Sequence, residues 1–142
     1  MSTISLAEIV NTACEMKTKE EKVAWLQKHN SKPLRNIMKI MYDKSLKLNI
    51  PNSEPPYVAS EMPESHGLLY RESRKLQYFV EGFGGDHIKP VRREQLFIQM
   101  LESVDKQDSK LLLKMIKQKP LKGLPAKVLQ EALGDFIPLK SS

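Results

Sequence analysis

The sequence predicts an all-α fold: a compact single domain of six to seven short helices with a Pro-rich connecting strap. Three observations predict it. Helix-start signals recur along the chain, each followed by apolar residues at helical spacing. No stretch shows convincing period-two alternation apart from Gln77 to Val80. A proline cluster at Pro51, Pro55, Pro56 and Pro63 interrupts the helical pattern once, near the middle. At 142 residues the chain has the size of one domain and can bury a core without disulfides or metal.

The first helix follows Ser5 and Glu8, whose spacing is that of a capping box, and Leu6, Ile9, Val10 and Ala13 form its apolar stripe. Thr18 and Glu21 repeat the device ahead of Val23, Trp25 and Leu26, and that helix ends near Asn30. Ser31 and Pro33 open a third helix, since proline costs nothing where the first-turn amides have no partner. Leu34, Ile37, Met38 and Met41 make its buried row. These helices define an N-terminal part, residues 1–44.

Residues 45–66 read as an acidic, Pro-rich strap. Leu46, Leu48, Ile50 and Tyr57 are expected to pin it across the helices, because a free linker needs no such anchors. Residues 67–142 return to helix. Gly67 to Val104 predicts two amphipathic helices hinged at the Gly-Phe-Gly-Gly turn of residues 82–85. Pro90 starts the second of them, with Leu96, Phe97, Met100, Leu101 and Val104 on one face. Asp105 or Asp108 caps the next helix, which buries Leu111, Leu112, Met115 and Ile116 and stops at Pro120. Pro125 starts a last helix through Val128, Leu129, Ala132 and Leu133, closed by Gly134 at a left-handed cap. Phe136 and Ile137 are expected to fold back on the core.

Composition narrows the setting. A net charge of +6 favours an acidic partner, nucleic acid or an acidic protein face. The lone Cys14 rules out an internal disulfide, points to a reducing compartment and reads as a buried structural thiol on the first helix. No apolar run approaches the roughly 20 residues of a membrane span, and the opening MSTISLAEIV lacks the pattern of a signal peptide. His29, His66 and His87 have no metal-pair spacing, and the glycine turn lacks the lysine and hydroxyl residue of a phosphate-binding loop. The expectation is a protein that is not an enzyme, with no metal and no cofactor.

The charges are unevenly placed. Residues 1–50 hold nine basic and five acidic side chains, residues 51–88 three and six, and residues 89–142 eleven and six. Tyr70, Arg71, Arg74, Lys75, Phe83, Arg92 and Arg93 form the primary candidate binding set. On a helix Arg71, Arg74 and Lys75 share a face beside Tyr70 and Tyr78. Arginine with an aromatic ring suits single-stranded RNA and equally suits a protein interface. Lys110, Lys114 and Lys117, at i, i+4 and i+7, form a secondary basic stripe that would track a phosphate backbone. Read blandly, that stripe is a solvated helix face, and the arginines pair with Glu72 and Glu81.

The segments EEKVAWLQKHNSKPLRNIMK, PPY, GLLYRESRKLQYFVEG, RREQLFIQMLESV and SKLLLKMIKQK, in this order, resemble a small-protein family of T-even-type tailed bacteriophages and their relatives. The resemblance covers nearly the whole chain and extends to phage modulators of mRNA metabolism; it lends no catalytic residues. It implies a protein at work in the cytoplasm of the infected bacterial host, affecting RNA metabolism or transcription. The partner so implied is single-stranded RNA, or a host or phage protein of transcription or RNA processing. A protein adaptor that docks on an acidic host protein without touching nucleic acid, and a DNA-associated replication accessory, are the alternatives.

Overall fold

A computed structural model describes residues 4–43, 45–50, 55–58, 68–119 and 121–134. Within them lie seven α-helices: α1 (Leu6–Glu15), α2 (Lys19–Lys28), α3 (Lys32–Tyr42), α4 (Leu68–Glu72), α5 (Pro90–Ser103), α6 (Lys106–Lys117) and α7 (Ala126–Leu133). A 3-10 segment, Ser73–Phe79, continues α4. The all-α class is as the sequence predicts. Extended pairing is confined to isolated bridge positions: Leu48 and Val80 form an antiparallel bridge, and Asp105 is a further bridge residue among those described.

The helix starts are chemical. Ser5 Oγ accepts from Glu8 N, and Thr18 and Glu21 form the full reciprocal box. Ser31 Oγ accepts from Leu34 N with Pro33 in the first turn, and Pro90 opens α5. Asp105 caps α6 by accepting from Gln107 N. Asp108, the other candidate for that cap, does something else. Buried to 0% exposure, its Oδ1 accepts from Ala7 N at 2.8 Å, so a carboxylate of α6 sits on the N-terminus of α1. The helix dipole and the unpaired first-turn amides both favour a negative group there.

Helix α6 is central and packs against α1, α3 and α5, while α2 packs on α1 and α7. Trp25 Nε1 donates to Ile9 O at 2.9 Å and joins α1 to α2. Phe79 and Phe97 meet edge to face, centroids 5.4 Å apart, and join the 3-10 segment to α5. Helix α6 ends at Gln118 in the left-handed conformation, φ 51°. Its Nε2 reaches the carbonyls of Ile40, Asp43 and Leu46 at 2.9–3.3 Å, which ties the end of α3 and the start of the strap to α6. Of the strap's four expected anchors, Ile50 is buried and Leu46, Leu48 and Tyr57 pack on the core. Val58 N donates to Glu102 of α5. Residues 51–54 and 59–66 of the strap, together with Pro120, Phe136 and Ile137, lie outside the described residues.

Three expectations change in detail. Cys14 is half-buried, with burial raising its thiol pKa, rather than sunk in the core. Gly134 closes α7 at φ 120° and ψ 174°, a conformation open to glycine but not the left-handed helical one. The largest correction concerns the first of the two helices expected within Gly67 to Val104, which becomes 3-10 after Glu72. Ser73 Oγ donates back to Tyr70 O at 3.0 Å, a local bond that competes with the α-helical ladder. The burial pattern agrees. Ser73, Leu76 and Phe79 are buried at a spacing of three, which aligns in a helix of three residues per turn and drifts in one of 3.6.

Tyr42 supplies a pH test of the packing. Its hydroxyl donates to Leu124 O at 2.6 Å and accepts from Leu121 N at 2.9 Å, fastening the turn before α7 to α3. Burial pushes the phenol up to about 12 from an ordinary 10.0. The neutral form is the one the fold binds, so its contribution is complete below pH 10 and is lost as pH rises towards 12. Urea unfolding of the wild type between pH 9 and 12 is expected to lose on the order of 2 kcal/mol by this route. Tyr42→Phe, already weaker by about 1–3 kcal/mol from two unpaired backbone groups, lacks that step. Equal alkaline slopes in the two proteins would contradict the assignment.

Candidate functional site

A cleft of about 640 Å³ lies between α3 and the 3-10 segment. One wall is the α3 row Lys32, Pro33, Asn36, Lys39 and Ile40; the other carries Tyr70, Ser73, Arg74, Leu76, Gln77 and Val80. Leu46 and Phe83 complete the lining. The 3-10 geometry explains the second wall. With three residues per turn Arg74 and Gln77 stack one above the other, and Val80 extends the same row to the bridge with Leu48.

Three of the seven primary candidates, Tyr70, Arg74 and Phe83, therefore meet in one place. Tyr70 lies half in the core, its hydroxyl donating to Ile4 O at 2.8 Å. Burial first, then the nearby Asp108 carboxylate, raises its pKa. Arg74 is exposed, and its Nε donates to Arg71 O at 3.3 Å. Phe83 leaves 53% of its surface in water, unusual for a phenylalanine, at the tip of the glycine turn.

That turn is held by its neighbours. Asp86 Oδ2 accepts from Gly82 N at 2.9 Å, and Asn49 Nδ2 donates to Tyr78 O at 3.1 Å. Arg93, expected as a binding cation, points inward. Its Nε donates to Asn49 O, and its Nη1 faces the carbonyls of Gly85, Asp86 and Ile88 at 2.5–3.4 Å. We assign Arg93 a structural role: it braces the strap and the turn that carry Phe83.

The remaining candidates stay dispersed. In the 3-10 segment Arg74 and Lys75 diverge by roughly 120°, so the expected common face does not form. Lys75 instead pairs with Glu72 at 3.1 Å. Arg71 and Arg92 are exposed and do not line the cleft. Lys110, Lys114 and Lys117 are exposed on α6, as their spacing implies. Of the histidines, His29 meets the Trp25 ring at a 54° tilt with centroids 4.2 Å apart, His87 is exposed, and His66 lies outside the described residues. Among those residues no group of three His, Cys, Asp or Glu side chains is placed to hold a metal ion, and no helix is long and apolar enough to cross a membrane.

What sequence reasoning missed is the α3 wall. Lys32, Asn36 and Ile40 follow i, i+4, i+8 spacing, a signal that marks one face of a helix without saying what lies opposite. Two cations, Lys32 and Arg74, stand on opposite walls of the cleft, and neither forms an ion pair among the described residues. Lys39 is held by Asp43 at 3.1 Å. No acidic side chain is among the described lining residues. The arrangement can accept an apolar body with negative charge at its edges.

Fold and site together define an all-α domain with a cation-rimmed apolar cleft. A family model matches residues 9–123, so the chain belongs to the DUF6433 family, a family of unknown function. The match includes every residue named on the cleft walls. No curated protein and no solved structure matches the chain.

Proposed function

We propose that the protein is a non-enzymatic modulator of RNA metabolism or transcription that acts by binding an RNA-handling host protein, in the cytoplasm of a phage-infected bacterium. The observation that carries the binding part is the cleft, where Tyr70, Arg74 and Phe83 converge on the face of α3. Concave, mostly apolar sites with a few placed polar groups are where proteins bind their ligands. The RNA and phage part is supported by the resemblance of the five sequence segments given above. A second reading, direct contact with single-stranded RNA, is favoured by the exposed Lys110, Lys114 and Lys117 row.

The test is expression in bacterial cells of the wild type and of Arg74→Glu/Phe83→Ser, two exposed positions. Message half-lives after transcription arrest, and read-through of a terminator, are the readouts. The wild type is expected to change at least one of them, and the variant to return it to the vector control. Wild-type values equal to the control would overturn the proposal. The RNA reading is separated by titrating single-stranded RNA: phosphate contacts make affinity fall steeply with salt, and Lys110→Glu/Lys114→Glu would then abolish binding.

A further inference from the structure

We propose that the cleft is a docking groove for one class of partner, an acidic amphipathic helix that lays its apolar stripe between α3 and the 3-10 segment. This rests on the binding reading of the same site but not on its connection with RNA. Three features argue for it.

The first is length. From Pro33 to Ile40 the α3 wall rises roughly 10 Å, two turns of helix, which matches a partner with apolar anchors at i, i+3 or i+4, and i+7. The second is the surface. Ile40, Leu76 and Val80 give an aliphatic floor, and Phe83 stands 53% exposed at its edge as a ready anchor. The third is charge. Lys32 and Arg74 flank the floor from opposite walls without an ion-pair partner among the described residues. A helix with glutamates on both sides of its apolar stripe meets a cation on each, whereas a basic or neutral helix leaves both uncompensated.

Single-stranded nucleic acid suits the groove less well. Such ligands are held by successive bases stacked on aromatic rings. Among the described lining residues only Tyr70 and Phe83 supply rings, and the Tyr70 hydroxyl is committed to Ile4 O.

The experiment uses the full chain and four fluorescent probes. They are a designed helical peptide of leucines flanked by glutamates, its scrambled form, the same peptide with lysines for glutamates, and an oligouridylate. The glutamate peptide is expected to bind saturably and the scrambled and lysine peptides at least about tenfold more weakly. Lys32→Glu/Arg74→Glu, at two exposed positions, should weaken the glutamate peptide about tenfold and now prefer the lysine peptide. Phe83→Ser should weaken the glutamate peptide severalfold, and thermal melts of the variants establish that the fold persists. Equal binding of scrambled and ordered peptides, or no reversal by the charge-swapped variant, would overturn the inference. So would oligouridylate binding that the double variant abolishes, which would give the groove to nucleic acid. Peptide binding without any change in message half-life would remove the RNA proposal and leave this one standing.

Discussion

Replacing Asp108 by alanine is expected to lower the stability of the fold by about 3 kcal/mol, the larger part of it lost at the α1–α6 contact. The carboxylate is fully buried and holds Ala7 N at 2.8 Å. A hydrogen bond to a charged group contributes about 1.5–3 kcal/mol, and a carboxylate at a helix N-terminus up to about 2 kcal/mol where it is partly buried. The two descriptions overlap, so they do not add. Asp108→Asn keeps an acceptor oxygen and gives up the charge, and should fall between alanine and wild type. Urea unfolding of the three proteins measures the order. Wild-type stability in the alanine variant would mean that α1 is held by its apolar face alone.

Gly85→Ala is expected to cost about 3 kcal/mol, at the upper end of what overpacking does, and to disturb the cleft as well as the fold. A Cβ at position 85 would lie inside the contact shell of Tyr78 O and only 2.6 Å from Tyr78 Cα. Those are backbone atoms, so no side chain can swing away. The turn must lift from the 3-10 segment, which strains the Arg93 and Asn49 bonds and moves Phe83. Gly84→Ala is the informative neighbour. Its added Cβ meets nothing within 4 Å, but its φ of 105° strains any other residue. That variant should lose stability while leaving the contact with Tyr78 in place. Comparing unfolding midpoints and Phe83 solvent exposure in the two variants separates strain from displacement.

These two positions also show how far the sequence reaches. Local devices were legible: Thr18 with Glu21, Ser31 with Pro33, and Asp105 each act within four residues, where spacing alone determines geometry. Asp108 has the same chemistry as Asp105, but its target is 101 residues away. Only the packing of α6 on α1 decides which amide it meets. Arg93 is a similar case, since a cation that braces four carbonyls has the same sequence signature as one that waits for a phosphate. Tyr70, Arg74 and Phe83 were legible as binding candidates, but not that these three share one cleft while Arg71 and Lys75 stand apart from it. The switch from α to 3-10 was written in the threefold spacing of Ser73, Leu76 and Phe79, which also fits an imperfect α-helix. The cleft itself was not legible, because its α3 wall lies more than 30 residues upstream and no local pattern joins the two.

The central claim, that the cleft is where this protein meets its partner, is tested most directly by methyl-resolved nuclear magnetic resonance of the full chain during titration with the glutamate-flanked helical peptide. The account predicts saturable shifts at Ile40, Leu46, Leu76 and Val80, with the methyls of Leu129 and Val128 in α7 unmoved. Shifts confined to other surfaces, or none at the four cleft residues while the peptide binds, would contradict it.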